Sequence, residues 1–157
     1  MKYYRIFSAS LLSLSLIVPF LVAPFTTYAA ADTTPPVLRS MKVTPASVDT
    51  TTASAAVIFN FVVTDDLSGV NYIHFNLVYP GNTLQAGPPI NCLINEQSLV
   101  APQTATCTTV FTFPAHSLAG DYKILFYTGD VAGNYTNMSS SDLAASGFPS
   151  TIHVTSN

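Results

Sequence analysis

Two stretches of this chain concentrate oxygen donors in a way that could hold a cation. Asp65 and Asp66 are adjacent and follow an apolar run, in Phe61-Val62-Val63-Thr64-Asp65-Asp66-Leu67-Ser68-Gly69-Val70. The same grammar returns in Phe126-Tyr127-Thr128-Gly129-Asp130-Val131-Ala132-Gly133-Asn134. In each, the apolar half reads as a buried strand and the acidic, Gly-containing half as the turn that ends it. Hard cations take oxygen ligands, and carboxylates gathered without a cation repel and raise one another's pKa. Asp, Ser, Gly and Asn are also the ordinary residues of turns. An ion site and two separately solvated turns are therefore distinguished by geometry alone.

Other chemistries find less support. His74, His116 and His153 have no Cys or carboxylate at metal-ligand spacing and read as surface residues. No Gly-x-Ser-x-Gly elbow occurs, and no Ser/His/Asp set can be brought together from the sequence. A glycosidase would need two carboxylates in an aromatic-walled cleft, whereas these acids fall in turns. No catalytic residue and no enzyme are expected. Tyr72, Tyr79, Tyr127 and Tyr135 fall where strands would point them outward, which would suit a sugar-stacking or protein-contact patch. Asn134-Tyr135-Thr136 and Asn137-Met138-Ser139 match the N-glycosylation pattern.

The first segment has the layout of a secretory signal peptide. Lys2 and Arg5 precede a largely apolar stretch from Ile6 to Phe25, and small residues follow at Thr27, Ala29, Ala30 and Ala31. Cleavage is expected after Ala31, with Ala29 the alternative. Pro19 and Pro24 argue against a retained membrane helix. Residues 1–31 are thus the signal peptide and residues 32–157 one domain, exported to the periplasm, the cell surface or the medium. That domain sets only Arg39, Lys42 and Lys123 against the chain's 8 acidic residues. Nucleic acid is excluded as a partner and docking on anionic lipid is disfavoured, because both call for a basic stripe. Cys92 and Cys107 are the chain's 2 cysteines, and in an oxidising compartment they are expected to pair.

The elements that must position these groups are strands. Ala55, Val57, Phe59, Phe61 and Val63 form an unbroken alternate set before the first acidic turn, the signature of a central core strand. Val70–Tyr79, with Ile73, Phe75 and Leu77 inward, and Asp121–Thr128, with Tyr122, Ile124 and Phe126 inward, repeat the pattern. Val37–Thr44 reads as a half-buried strand with Val37, Met41 and Val43 inward, and Pro45-Ala46-Ser47 ends it. Thr104–Phe113 and Thr151–Thr155 are further strands, and shorter ones lie around Ile90–Ile94 and Tyr135–Met138. Ser139 to Asp142 caps one short helical turn near the C-terminus, stopped by Gly147 and Pro149. Seven to eight short strands separated by turn signals define an all-β sandwich.

Four motifs in order carry a resemblance: Asp32-Thr33-Thr34-Pro35-Pro36, Thr64-Asp65-Asp66-Leu67-Ser68-Gly69-Val70, Leu118-Ala119-Gly120-Asp121-Tyr122 and Asp130-Val131-Ala132-Gly133-Asn134. The chain resembles bacterial immunoglobulin-like modules of secreted and surface proteins, related in architecture to cadherin and fibronectin type III domains. The resemblance implies an immunoglobulin-like sandwich serving adhesion or protein interaction. It also implies a bacterial source, in which the two sequons carry no meaning. Acidic turns in such modules often bind calcium, which makes Asp32, Asp65, Asp66, Asp130 and Asn134 the expected ligands. A small carbohydrate-binding protein using the outward Tyr residues is the competing function, so the expected partner is a protein or a glycan. Tyr122 is expected at a strand start, its hydroxyl bonded back to the corner backbone. The buried Trp and inter-sheet disulfide of antibody domains are not expected, Trp being absent and the Cys pair local.

Overall fold

Alternation decides which side chains are buried. A computed structural model of the chain describes residues 31–81, 86–87, 89–93 and 101–157. The expected signal segment, apart from Ala31, lies outside the described residues, as does the end of the expected strand Ile90–Ile94. Among the described residues there are nine strands and one helix: β1 (Val37–Thr44), β2 (Ser47–Asp49), β3 (Ala55–Thr64), β4 (Val70–Val78), β5 (Ile90–Leu93), β6 (Thr104–Phe113), β7 (Gly120–Asp130), β8 (Tyr135–Met138), α1 (Ser140–Ala145) and β9 (Thr151–Thr155). No helix among them is long and apolar enough to cross a membrane.

The strands form two sheets, a small one ordered β1-β3-β6 and a large one ordered β2-β9-β7-β4-β5. On β3, Val57, Phe59, Phe61 and Val63 are fully buried while Ile58 faces out. Phe59 and Phe61 meet Phe75 of β4 with centroids at 4.2 and 5.2 Å, and Phe126 of β7 lies 5.5 Å from Phe61. This aromatic cluster joins the two sheets, with the tilted rings that the quadrupole favours. The all-β sandwich is the expected fold. β2 is the strand that the sequence hid: three residues carrying one buried side chain, Val48, just after the proline that ends β1. It lies parallel to β9, so the chain crosses from the small sheet to the large one around Pro45.

The β1 register also departs from expectation. A bulge between Leu38 and Ser40 shifts the alternation, so that Leu38 and Met41 are buried and Val37 is 41% exposed. Two residues of a bulged strand face one of its partner, which reverses the inward parity upstream of the bulge.

β7 holds the large sheet together. One edge pairs with β4 from Val78↔Lys123 to Val70↔Asp130. The other edge is shared, by β9 opposite Gly120 to Lys123 and by β8 opposite Phe126 to Gly129. Between those two half-strands sits α1, opened by a capping box in which Ser139 and Asp142 satisfy each other's backbone amides and closed over fully buried Leu143. Cys92 on β5 and Cys107 on β6 form the expected disulfide. These strands belong to different sheets, so the bond is an inter-sheet tie and not the local staple that the spacing suggested. Closing its short loop contributes about 3 kcal/mol in the chain-entropy model.

Tyr122 is buried and meets Phe113 edge-on at 5.0 Å, with Tyr79 at 5.6 Å. Its hydroxyl bonds to no corner backbone among the described residues. Burial first, then Tyr79, pushes the phenol pKa up.

Candidate metal centre

The first acidic turn is held from outside and from within. The Asp65 amide donates to the Gln103 carbonyl at 2.8 Å and the Val70 amide to the Pro102 carbonyl at 2.9 Å. The turn therefore lies against residues 101–103. Gly69 has φ +86°, and a Cβ there would fall 2.5 Å from the Ala101 carbonyl oxygen, so only glycine fits. From within, Asp65 Oδ2 accepts from the amides of Gly69 (2.6 Å) and Leu67 (3.2 Å). This is the side-chain-to-backbone turn that Asp forms readily.

The other Asp65 oxygen has no such partner. Asp65 is only 7% exposed, and its Oδ1 is buried without a hydrogen bond. Leaving a buried acceptor unpaired costs about 1–3 kcal/mol, and more when it is charged. Among the described residues, only the mid-β4 Asn76 Oδ1 shares that condition.

Asp32 and Asp66 close on the same place. Asp32, Asp65 and Asp66 each present a carboxylate oxygen, and these atoms lie within 4.8 Å of one another. Asp32 is oriented by the Thr34 amide on Oδ1 (3.0 Å) and the Ser68 amide on Oδ2 (2.8 Å). The Ser68 side chain first, and then the Thr34 amide, hold its carboxyl below the usual carboxylate range. Asp66 is exposed, and its carbonyl accepts from the Gln103 side chain at 3.2 Å. Beside the trio runs a cleft of about 430 Å³ lined by Asp65, Asp66, Gln103, Thr104, Pro35 and Arg39. Arg39 donates through Nε to Thr64 Oγ1 at 2.7 Å.

The second acidic turn does arrive at the same end of the sandwich. The Val131 amide donates to the Gly69 carbonyl (3.1 Å), and the Ala132 amide to Ser68 Oγ (3.3 Å). Its own acid, however, is spoken for. Asp130 is 2% exposed; Oδ1 accepts from the Asn134 amide (2.8 Å) and Oδ2 from Asn134 Nδ2 (2.7 Å). Asn134 Nδ2 also donates to the Asp32 carbonyl at 3.2 Å. Of the five expected ligands, the structure gathers Asp32, Asp65 and Asp66. Asp130 and Asn134 instead face each other and anchor the incoming segment.

The sequence missed Ser68 and Gln103 as organising residues, since their roles come from contacts across 36 and 37 positions of chain. Of the outward tyrosines, Tyr79 turns inward against Tyr122 and the core. The others stand on the outer face of the large sheet with a residue that had read as bland. Tyr72 stacks on His74 (5.4 Å between centroids), and His74 meets Tyr127 (4.8 Å). Burial pushes the His74 imidazole pKa down. His153 pairs with Asp121 at 2.8 Å, both well exposed.

Residues 36–157 match the family described as Domain of unknown function (DUF7034), and the chain belongs to that family. No curated protein matches it.

Proposed function

We propose that this chain is a non-catalytic, exported immunoglobulin-like module for protein interaction or adhesion, one end of which is ordered by calcium. The topology supports the immunoglobulin-like reading. A small sheet β1-β3-β6 faces β9-β7-β4-β5, and the first strand is divided between the two sheets. Sandwiches of that class combine Greek-key connections with loops clustered at the two ends. The inter-sheet disulfide suits an oxidising compartment.

The observation that carries the calcium reading is Asp65 Oδ1, buried and unpaired inside a trio of carboxylates. Calcium accepts six to eight oxygens, so three carboxylates, nearby carbonyls and water would suffice. Affinity on the order of 10⁻⁴–10⁻³ M is expected, as in extracellular modules. Asp32 and Asp65 are oriented by backbone amides and not by a nucleophile or a base, which suits a structural ion. Thermal unfolding in calcium and in chelator tests this: a higher melting temperature in calcium, unmatched by magnesium, is expected. Superimposable transitions would end the calcium reading.

A further inference from the structure

Two sequons lie three residues apart, and the fold treats them differently. Asn134 sits in the second acidic turn, where its Nδ2 donates both to Asp130 Oδ2 (2.7 Å) and to the Asp32 carbonyl (3.2 Å). Both amide hydrogens are in use. Asn137 is exposed on β8, in register with Tyr127, and faces out while its neighbour Met138 packs on the core.

The surface beside Asn137 is aromatic and uncharged. Its cross-strand row runs Asn137, Tyr127, His74, Asn91. The adjoining row brings Tyr135, Gly129 and Tyr72 side by side, with Tyr135 70% exposed. Tyr72 lies flat across Gly129, where any Cβ would run into its ring. Such a platform offers ring faces and amides, which suit the C–H faces and hydroxyls of a neutral sugar. β8 is also a short edge strand of the large sheet, the sort of edge that proteins cover.

We infer that Asn137 carries an N-linked glycan seated on the Tyr127–His74–Tyr72 ring cluster, and that Asn134 carries none. The inference rests on the export proposed above, and it parts from the bacterial source that the resemblance implied, under which the sequons would carry no meaning. In the transfer, Asn137 Nδ2 attacks C1 of a lipid-diphosphate-linked oligosaccharide. The C1–N bond forms, the C1–O bond to the diphosphate breaks, and the amide proton leaves to a base. The hydroxyls of Thr136 and Ser139 are both bonded in the folded domain, so transfer precedes folding. The fold then decides which product survives. A glycan on Asn134 would leave its nitrogen one hydrogen for two acceptors, whereas one on Asn137 costs nothing inside.

The test is glycopeptide mass spectrometry of the full chain secreted from a eukaryotic host behind a leader of proven function. Failure of the native leader then cannot be mistaken for failure of the site. One glycan at Asn137, lost in Asn137→Gln, is expected. Enzymatic removal of the glycan should lower the melting temperature of the wild type but not of Tyr127→Ala. A folded, secreted product bare at Asn137, one modified at Asn134, or a bare face that binds free oligosaccharide would each overturn the inference. So would equal melting of glycosylated and stripped wild type.

Discussion

The two acidic turns share a sequence grammar and one end of the sandwich, yet they solve the burial of a carboxylate in opposite ways. Asp130 is closed by its own loop, with both oxygens taken by Asn134 four residues on. Asp65 is closed on one side only: Oδ2 holds the turn, while Oδ1 is buried and unpaired beside Asp32 and Asp66. A buried acid whose partners are all local is a structural fastener. A buried acid with a free oxygen and two further carboxylates within 4.8 Å is the arrangement on which the calcium proposal rests.

The comparison can be broken at either turn. Asp130→Ala should be the most damaging change, since it strands both donors of Asn134 and loosens Asp32. We expect a loss of about 3 kcal/mol by denaturant unfolding in chelator, with a smaller calcium increment because Asp32 is loosened. Next in size is calcium itself. At ten times the dissociation constant it should add about 1.4 kcal/mol to the wild type, seen as a rise of several degrees in melting temperature. Asp65→Asn should abolish that increment while remaining about as stable as the wild type in chelator. Its side-chain oxygen can still accept from Gly69 and Leu67, and no unpaired charge is left buried. Asp66→Asn, at an exposed position, should change calcium-free stability by less than about 0.5 kcal/mol and weaken calcium binding only in part.

How much of this was legible depended on the range of the interaction. The β3 alternation of Val57, Phe59, Phe61 and Val63 announced the core outright, because burial of one strand face is written at period two. The bulge after Leu38 and the crossing at Pro45 were not legible, since each is settled by the partner strand. Asp65 and Asp66 could be picked out as turn acids, and Asp32 as a third donor. Which oxygen would be left unpaired could not be, because it depends on Gly69 and Leu67 folding back and on residues 101–103 closing over the turn. Asn134 looked like a ligand and is instead the partner of Asp130. Sequence spacing does not separate the two roles, since both place an amide four residues after the acid.

A smaller effect belongs to the outer face. His74 is pushed below the ordinary imidazole value of 6.5 by burial between Tyr72 and Tyr127. Its folded-state pKa is depressed, so its contribution to stability is present above pH 6.5 and is lost as pH falls through the folded value. Melting temperature should therefore decline modestly below pH 6.5, and His74→Gln should flatten that part of the profile. An unchanged profile in the variant would place the titrating group elsewhere.

The most direct measurement is calorimetric titration of calcium into chelator-treated wild type and Asp65→Asn, both verified as folded. The wild type should bind a single ion with a dissociation constant on the order of 10⁻⁴–10⁻³ M, and the variant should give no heat beyond dilution. No heat in the wild type, or equal binding in both proteins, would contradict the assignment of Asp65 as the centre of the site.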